Sequence, residues 1–380
     1  MTRSVLFYVQ YLLGVGHLQR SLRIAEALAQ RGVAVTLVSG GMPVALPHDP
    51  AIRIVQLPPV QALDASFALV DISGRPVDEA LWQERRAALL AAFAAARPQN
   101  VVIEGFPFAR RAFRFELEPL IAAVQHAAPR ARLFCSVRDI VAVRDDPQRQ
   151  REIVAQVRRD FDAVLVHGDP AFIPFEASFA AAPEIADRLV YTGYVAPTSR
   201  PGADSVEGVG DVVVSAGGGA AGQALLTAAL AARCRGCLAG RRWRLVTGAH
   251  LPEAAMARLR EAAAPGGVPG VIIERFRDDL PALLRRCHVS VSQAGYNTVL
   301  ELVAARARAV LVPFAAGRET EQLRRAERLA ARGAAELVPE SELTAARLAA
   351  AIERAAARAP AAIALDTGGA VRSAALIDVK

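Results

Sequence analysis

Short runs that are apolar at nearly every position, rich in Val, Ile and Leu, alternate along the chain with longer Ala/Leu/Arg segments whose apolar residues recur every three or four positions. The first pattern suits strands covered on both faces and the second amphipathic helices, so the alternation reads as repeated βα units of parallel sheet. In the first half, strands are expected near 4–9, 33–39, 52–57, 100–104, 131–136, 163–167 and 188–192, with helices near 18–31, 79–97, 109–127 and 148–160. A polar, turn-rich stretch with Pro197, Pro201 and Gly202 follows and reads as a linker over 197–210. The pattern then restarts. Strands are expected near 211–215, 243–247, 271–275, 288–292, 309–313 and 335–338, and helices near 222–239, 253–263, 279–286, 296–305, 319–332 and 343–358. The expected organisation is therefore α/β: one doubly wound domain over 1–196, a second over 211–359, and a last helical stretch within 360–380.

Each half opens with a strand, a glycine-rich turn and a helix, the arrangement with which a doubly wound sheet builds a ligand crevice at the carboxyl ends of its strands. Two such sheets on one linker are expected to place their crevices face to face, with the site in the cleft between them. The apolar run from Val5 to Val15 is read as a first buried strand and not as a leader, because Gln10 interrupts it and Gly14, Gly16 and His17 lead into an amphipathic pattern. No stretch approaches the roughly 20 apolar residues of a membrane span.

Composition then removes several chemistries. The chain has 380 residues, 53% hydrophobic and 22% charged, a balance that favours folding over disorder. Every one of the 45 basic residues except Lys380 is arginine. Without an internal lysine there is no Schiff-base or pyridoxal-phosphate site and no Walker A loop. The net charge of +7 favours anionic partners. The arginines are spread along helices, as at Arg324, Arg325, Arg328 and Arg332, without interleaved aromatics, so solvated helix faces are expected and nucleic acid is not. Four cysteines make no disulfide framework in a chain of this length, which suits a reducing cytoplasm, and the Cys234/Cys237 pair has no second pair or histidine at metal-ligand spacing.

The second half carries the denser chemistry. After the strand ending at Ser215, Gly217, Gly218, Gly219 and Gly222 formally satisfy a dinucleotide-type glycine pattern. The next strand ends Val246-Thr247-Gly248 without the acid a nicotinamide enzyme places on its ribose, so the glycines are read as a turn that lets backbone N–H groups approach a phosphate. Further on, Ser292, Gln293, Ala294, Gly295, Tyr296, Asn297 and Thr298 lead from a strand into a helix N-terminus, a second anion seat. Glu301 lies one turn deeper on the side of Asn297 and Thr298, where its carboxylate can accept from two ribose hydroxyls. Glu321 and Gln322, an acid and an amide at another helix start, suit hexose hydroxyls, and Phe276 is a candidate flank for a flat base.

On these residues the chain resembles the MurG-type, family 28 glycosyltransferases: Ser292 to Glu301, Val312-Pro313-Phe314 and Glu321-Gln322 match their C-terminal half. Gly14-Val15-Gly16-His17 with Arg20 resembles the first loop of the superfamily. Glu104-Gly105-Phe106-Pro107-Phe108, Ser136-Val137-Arg138-Asp139-Ile140, His167-Gly168-Asp169-Pro170 and Tyr191-Thr192-Gly193-Tyr194-Val195 are similar to a bacterial group of predicted glycosyltransferases. The resemblance implies the GT-B fold, a UDP-sugar donor in the C-terminal domain, an acceptor facing the N-terminal one, and a final helix returning to the first domain. It implies diphosphate at Ser292, Gly295 and the amides beyond, ribose at Glu301, uracil beside Phe276, and sugar at Glu321 and Gln322. Two positions depart from the family pattern: Glu321 replaces the first member of an amide pair, and Arg325 stands where an asparagine is usual.

No Asp-x-Asp pair offers itself for a divalent ion, since Asp145-Asp146 and Asp278-Asp279 are adjacent and read as helix starts. The expected reaction is thus a metal-independent, single in-line displacement inverting C1, with UDP-sugar as co-substrate and no resident cofactor. It needs a base, for which His17 is the first candidate and Asp139 and Glu104 the reserves; Gly14, Gly16 and Arg20 are read as an acceptor or phosphate loop. Three readings stay open: a glycosyltransferase, a UDP-sugar hydrolase or epimerase sharing the Gly-x-Gly-His-x-x-Arg loop, and a non-catalytic nucleotide-sugar-binding subunit. The acceptor is unassigned, either lipid-linked or a small molecule. A patch of Phe106, Phe108, Phe113 and Phe115 among Arg110, Arg111 and Arg114 is a candidate contact with the inner face of a membrane.

Overall fold

The computed structural model describes all residues except 1–2, 13, 63–67, 142–145, 198–206, 218–221, 237, 249–250, 264–269, 278, 316–319 and 380. The chain divides into two compact units, one of Met1–Ala196 with Leu365–Lys380 and one of Pro197–Ala364. In the first, the elements are β1 (Ser4–Val9), α1 (Gly16–Ala29), β2 (Ala34–Ser39), β3 (Ile52–Gln56), β4 (Gln61–Ala62), β5 (Leu69–Val70), α2 (Glu79–Ala96), β6 (Asn100–Glu104), α3 (Arg114–His126), β7 (Arg132–Arg138), α4 (Pro147–Asp160), β8 (Ala163–His167) and β9 (Leu189–Tyr191). The second holds β10 (Val212–Ser215), α5 (Gln223–Arg233), β11 (Trp243–Val246), α6 (Glu253–Ala262), β12 (Val271–Glu274), α7 (Leu280–Arg286), β13 (Val289–Ser292), α8 (Tyr296–Ala305), β14 (Ala309–Leu311), α9 (Glu321–Ala331), β15 (Ala335–Leu337) and α10 (Ala345–Ala357); α11 (Gly369–Ile377) returns to the first unit.

Both main sheets are parallel throughout, in the order β3-β2-β1-β6-β7-β8-β9 and β12-β11-β10-β13-β14-β15. The strand order reverses between β1 and β6 in one and between β10 and β13 in the other, and a doubly wound sheet opens its crevice at such a switch point. The central strands are buried along their whole length, as β6 and β10 are, which explains why they are apolar at every position instead of alternating. Asp78, Asp146 and Thr344 cap α2, α4 and α10 through their side-chain oxygens, so those helices begin where the sequence supplies an acceptor.

The last helix starts later than its sequence pattern suggests. Residues 359–367 are non-helical, and the chain just before the helix pairs with the segment after β9: Tyr194 N–H donates to Asp366 O (2.6 Å), Gly369 N–H donates to Tyr194 O (3.0 Å), and Val195 bridges Gly368. A Cβ at Gly369 would lie 2.3 Å from Gly193 O, so only glycine lets the two segments touch. Beyond it, Ala374 and Ile377 join Ile24 and Leu28 of α1 in one core, and Asp378 pairs with Arg3 (2.6 Å) and Arg31 (3.0 Å).

The candidate membrane patch is overturned. Phe106, Phe108 and Phe113 are buried in the core of the first unit, and Phe115 packs on Trp82 at 4.5 Å between ring centroids. Burial of such rings removes more apolar surface from water than a surface position would allow; of the three arginines Arg111 stays exposed while Arg110 turns inward toward Glu104. Among the described residues no helix is long and apolar enough to cross a membrane.

Under β1, a buried polar cluster ties together the loops at the carboxyl ends of the strands. Arg85 and Glu116, both fully buried, form a forked pair (Nε–Oε2 2.9 Å, Nη2–Oε1 2.8 Å), and Tyr8 Oη donates to Glu116 Oε1 (2.5 Å). The remaining arginine donors reach Gly40 O, Pro58 O and Gln10 Oε1. Breaking a buried pair from one side strands the other charge. Arg85→Met is therefore expected to cost about 3–5 kcal/mol, read as a lowered urea midpoint of the first unit, while Arg324→Met on the exposed face of α9 should stay within about 0.5 kcal/mol of wild type.

Candidate functional site

The switch point of the first unit gathers residues from three elements. The turn Gly14–Gly16 lets α1 begin at Gly16, so His17 and Arg20, three positions apart, share one face of its first turn. Strand β6 lies beside β1, and its last residue, Glu104, ends beneath that face. His17 Nδ1 is 2.7 Å from Glu104 Oε1, Arg20 Nη2 is 2.5 Å from the same oxygen, and Arg110 Nη2 approaches Oε2 at 3.5 Å. Glu104 and Arg20 are each 2% exposed at the side chain, while His17 keeps 24%. The imidazole is the most exposed member of the group.

Burial would raise the Glu104 carboxyl, but His17, Arg110 and Arg20 overcome that and hold it well below the usual carboxylate range. Desolvation lowers His17 below its ordinary 6.5 against the pull of Glu104, and Arg110 and Arg138 add to the lowering. The ring is thus neutral, and a neutral imidazole that donates from Nδ1 to a carboxylate presents the lone pair of Nε2, the electronic state of a general base.

The other sequence candidates separate. Asp139 is fully buried at the end of β7; its Oδ2 accepts from Tyr194 Oη (3.0 Å), its Oδ1 from the Ile140 N–H (3.0 Å), and Gly168 packs against it, so it braces the loop. Glu104 is the partner of His17 and not a free base. Arg20, read in the sequence as part of an acceptor or phosphate loop, turns its guanidinium inward to Glu104. Gly14 is exposed with open space around it.

In the second unit, Gly217 and Gln293 meet across the β10/β13 switch: Gly217 has φ +68°, and a Cβ there would lie 3.2 Å from Gln293 Oε1. Gly218 and Gly219 lie outside the described residues. Gly295 precedes α8, whose first amides include those of Tyr296, Asn297 and Thr298; Ser292 ends β13 with a buried hydroxyl lacking a hydrogen-bond partner among the described atoms. Glu301 is half-buried on α8, and Phe276 is 69% exposed just beyond β12, so it is not a core ring. Gln322 Oε1 accepts from the N–H groups of Ala294 (3.1 Å) and Phe314 (3.1 Å). Glu321 pairs with Arg325 (3.0 Å), whose Nη1 donates to Ala294 O (3.0 Å) and whose guanidinium lies over the Tyr296 ring. Arg325, a departure in sequence, thus bolts α9 to the loop before α8.

Sequence reasoning missed His167 as a structural centre. Fully buried, it meets Ser136 Oγ through Nε2 (2.7 Å) and Thr192 Oγ1 through Nδ1 (2.8 Å). The strand-end position was visible in the sequence, but its partners come from elements 25 and 31 residues away. Among the described residues no three His, Cys, Asp or Glu side chains gather as a metal-ligand group.

Residues 213–375 match the family model described as the glycosyltransferase family 28 C-terminal domain. The UDP-N-acetylglucosamine–N-acetylmuramyl-(pentapeptide) pyrophosphoryl-undecaprenol N-acetylglucosamine transferase of Phenylobacterium zucineum is 29% identical over 346 residues, 89% of this chain and 86% of that protein. Its counterpart from Rhodospirillum centenum is 39% identical over 114 residues, which span 29% of this chain and only 30% of that relative. Among solved structures, MurG of Acinetobacter baumannii superposes with a TM-score of 0.58 at 18% identity over 99% of both chains. The calicheamicin glycosyltransferase CalG4 does so at 0.59 and 19%, over 99% of this chain and 93% of that one. At these identities the likeness is one of fold.

Burial pushes His167 down to about 3, with Arg20 adding to the shift. The unfolded chain binds that proton near pH 6.5 and the folded chain does not, so stability is complete above about 6.5 and falls as the pH drops toward 3. His167→Gln should shrink the loss of unfolding free energy between pH 7.5 and 5 by about 1–2 kcal/mol, measured by urea titration at both pH values. An unchanged difference would show that His167 is not the group that titrates.

Proposed function

We propose that this chain, a MurG-like member of glycosyltransferase family 28, transfers a hexose-type sugar from a UDP-sugar to an acceptor hydroxyl, with His17 as the base. The observation that carries the proposal is the pairing of His17 Nδ1 with the buried Glu104 carboxylate at 2.7 Å, at the switch point of one unit, in a chain whose residues 213–375 match the family 28 C-terminal domain.

In this reading, His17 Nε2 takes the proton of the acceptor hydroxyl as that oxygen attacks C1 of the donor sugar, and the C1–O bond electrons leave with UDP. One displacement inverts the configuration at C1. The departing diphosphate is met by the amides at the start of α8 and by the Gly217 turn, which stabilise charge without a divalent ion or resident cofactor. Glu301 accepts from the ribose hydroxyls and exposed Phe276 flanks the base. Because Gln322 Oε1 is occupied by two backbone N–H groups, its amide NH2 is the part available to a sugar hydroxyl. Glu321, held by Arg325, orients the loop. The lipid-linked acceptor named for the Phenylobacterium relative is the model for an acceptor here, which goes with a cytoplasmic protein peripheral to the inner membrane face.

UDP at about 100 times its dissociation constant should stabilise the chain by roughly 2.7 kcal/mol in thermal unfolding, and TDP or GDP should do so less. Glu301→Ala is expected to weaken UDP more than free diphosphate; equal losses would remove the ribose contact. His17→Ala should lower transfer by about two to four orders of magnitude with UDP affinity unchanged, and EDTA should leave transfer within about twofold. Brisk UDP release from donor alone, lost in the same variant, would instead identify a hydrolase.

A further inference from the structure

Two polar groups converge on one carboxylate oxygen at the switch point of the first unit. Glu104 Oε1 receives both the His17 ring (2.7 Å) and the Arg20 guanidinium (2.5 Å), and Arg20 Nη2 also stands 3.2 Å from His17 Nδ1. A guanidinium has no acceptor and an ionised carboxylate has no donor. Between the two, the shorter contact to Glu104 demands a hydrogen on Nδ1, which leaves the lone pair on Nε2. An imidazolium in the same place would bring a second cation against the guanidinium at 3.2 Å. At 2% exposure Arg20 is also badly placed to meet a ligand phosphate, yet it is bound to the residue that orients the base. We propose that Arg20 is a positioning residue that keeps Glu104 ionised and in place, and thereby holds His17 neutral with its proton on Nδ1. This rests on the reading of His17 as the base only for its catalytic consequence.

The charged and titratable groups around the imidazole come from every element packed on it. Arg20 belongs to its own helix, Glu104 to β6, Arg110 to the turn after β6, Arg138 to the end of β7, and His167 of β8 lies on the Arg20 side. Arg110 approaches the other carboxylate oxygen at 3.5 Å, beyond normal hydrogen-bond length, so it supplies charge to Glu104 but does not share the oxygen that orients His17. With Arg20 removed, the Glu104–His17 pair keeps its attraction and loses a nearby opposing cation. The pair then takes up its proton at a higher pH. Lysine at this position returns the charge without the planar fork.

The test is two-dimensional NMR of the full chain labelled with 15N-histidine, with the His17 signals assigned by their loss in His17→Asn and folding checked by circular dichroism. The wild-type ring is expected as the neutral Nδ1–H tautomer from pH 7.5 to 5.5. Arg20→Gln should raise the pH of proton uptake by at least one unit, and Arg20→Lys should recover most of that change. A wild-type Nε2–H tautomer, or an Arg20→Gln ring that titrates as wild type does, would overturn the proposal. Should Arg20→Gln fail to fold, the wild-type tautomer and the Arg20→Lys titration decide on the same terms. The readout is independent of catalysis, so turnover retained in His17→Ala would sink the base assignment while the NMR still judges Arg20.

Discussion

A carboxylate placed almost wholly out of water at the end of β6 dictates how the rest of the first unit is arranged around it. Burying Glu104 as an anion carries a desolvation cost of several kcal/mol, and the fold offsets it by bringing two arginines and an imidazole to it from α1 and from the turn after β6. The consequence runs in both directions. The partners keep the carboxylate charged, and the carboxylate fixes the rotamers and hydrogen positions of the partners. A histidine on a solvent-facing loop would titrate near 6.5; burial lowers His17 below that range, and Glu104 holds its ring at 2.7 Å.

The second unit reaches order by a different route. Its switch point contains backbone amides at a helix start and glycine turns, which need no buried counter-charge but must be aimed. Gln322 and Arg325 do the aiming from α9: the amide oxygen of one collects two loop N–H groups, and the guanidinium of the other holds the Ala294 carbonyl. Both side chains work on backbone groups that would otherwise stay unpaired away from water. Elsewhere in this unit, Arg244 at 1% exposure pairs with Asp211, Glu274 and Glu207. That network anchors the residue before β10 and the chain leading into it to the sheet.

The βα alternation, the restart after residue 210 and the glycine turns were legible in the sequence because each is a local pattern. A strand covered on both faces must be apolar throughout, and a helix start needs a cap or a small residue, wherever the rest of the chain goes. His17, Glu104 and the Ser292–Glu301 stretch were legible for the same reason, as strand ends and helix starts in doubly wound units. The phenylalanines around Arg110 show where local reading stops: their spacing among arginines suited a surface patch, but the core beneath α3 took the rings.

Tertiary structure alone decided which of the candidate acids meets the imidazole. Glu104 and Asp139 look alike in sequence, each closing a strand, yet one meets an imidazole 87 residues away and the other a tyrosine hydroxyl 55 residues away. Strand order set those meetings, since β6 lies beside β1 while β7 lies one place further from it. Charge, proton position and pKa depend on neighbours within a few ångströms, and those neighbours are chosen by sheet topology and not by adjacency along the chain. The sequence by itself therefore determined the fold class and the places where chemistry could sit; the packing determined the partners that each group meets.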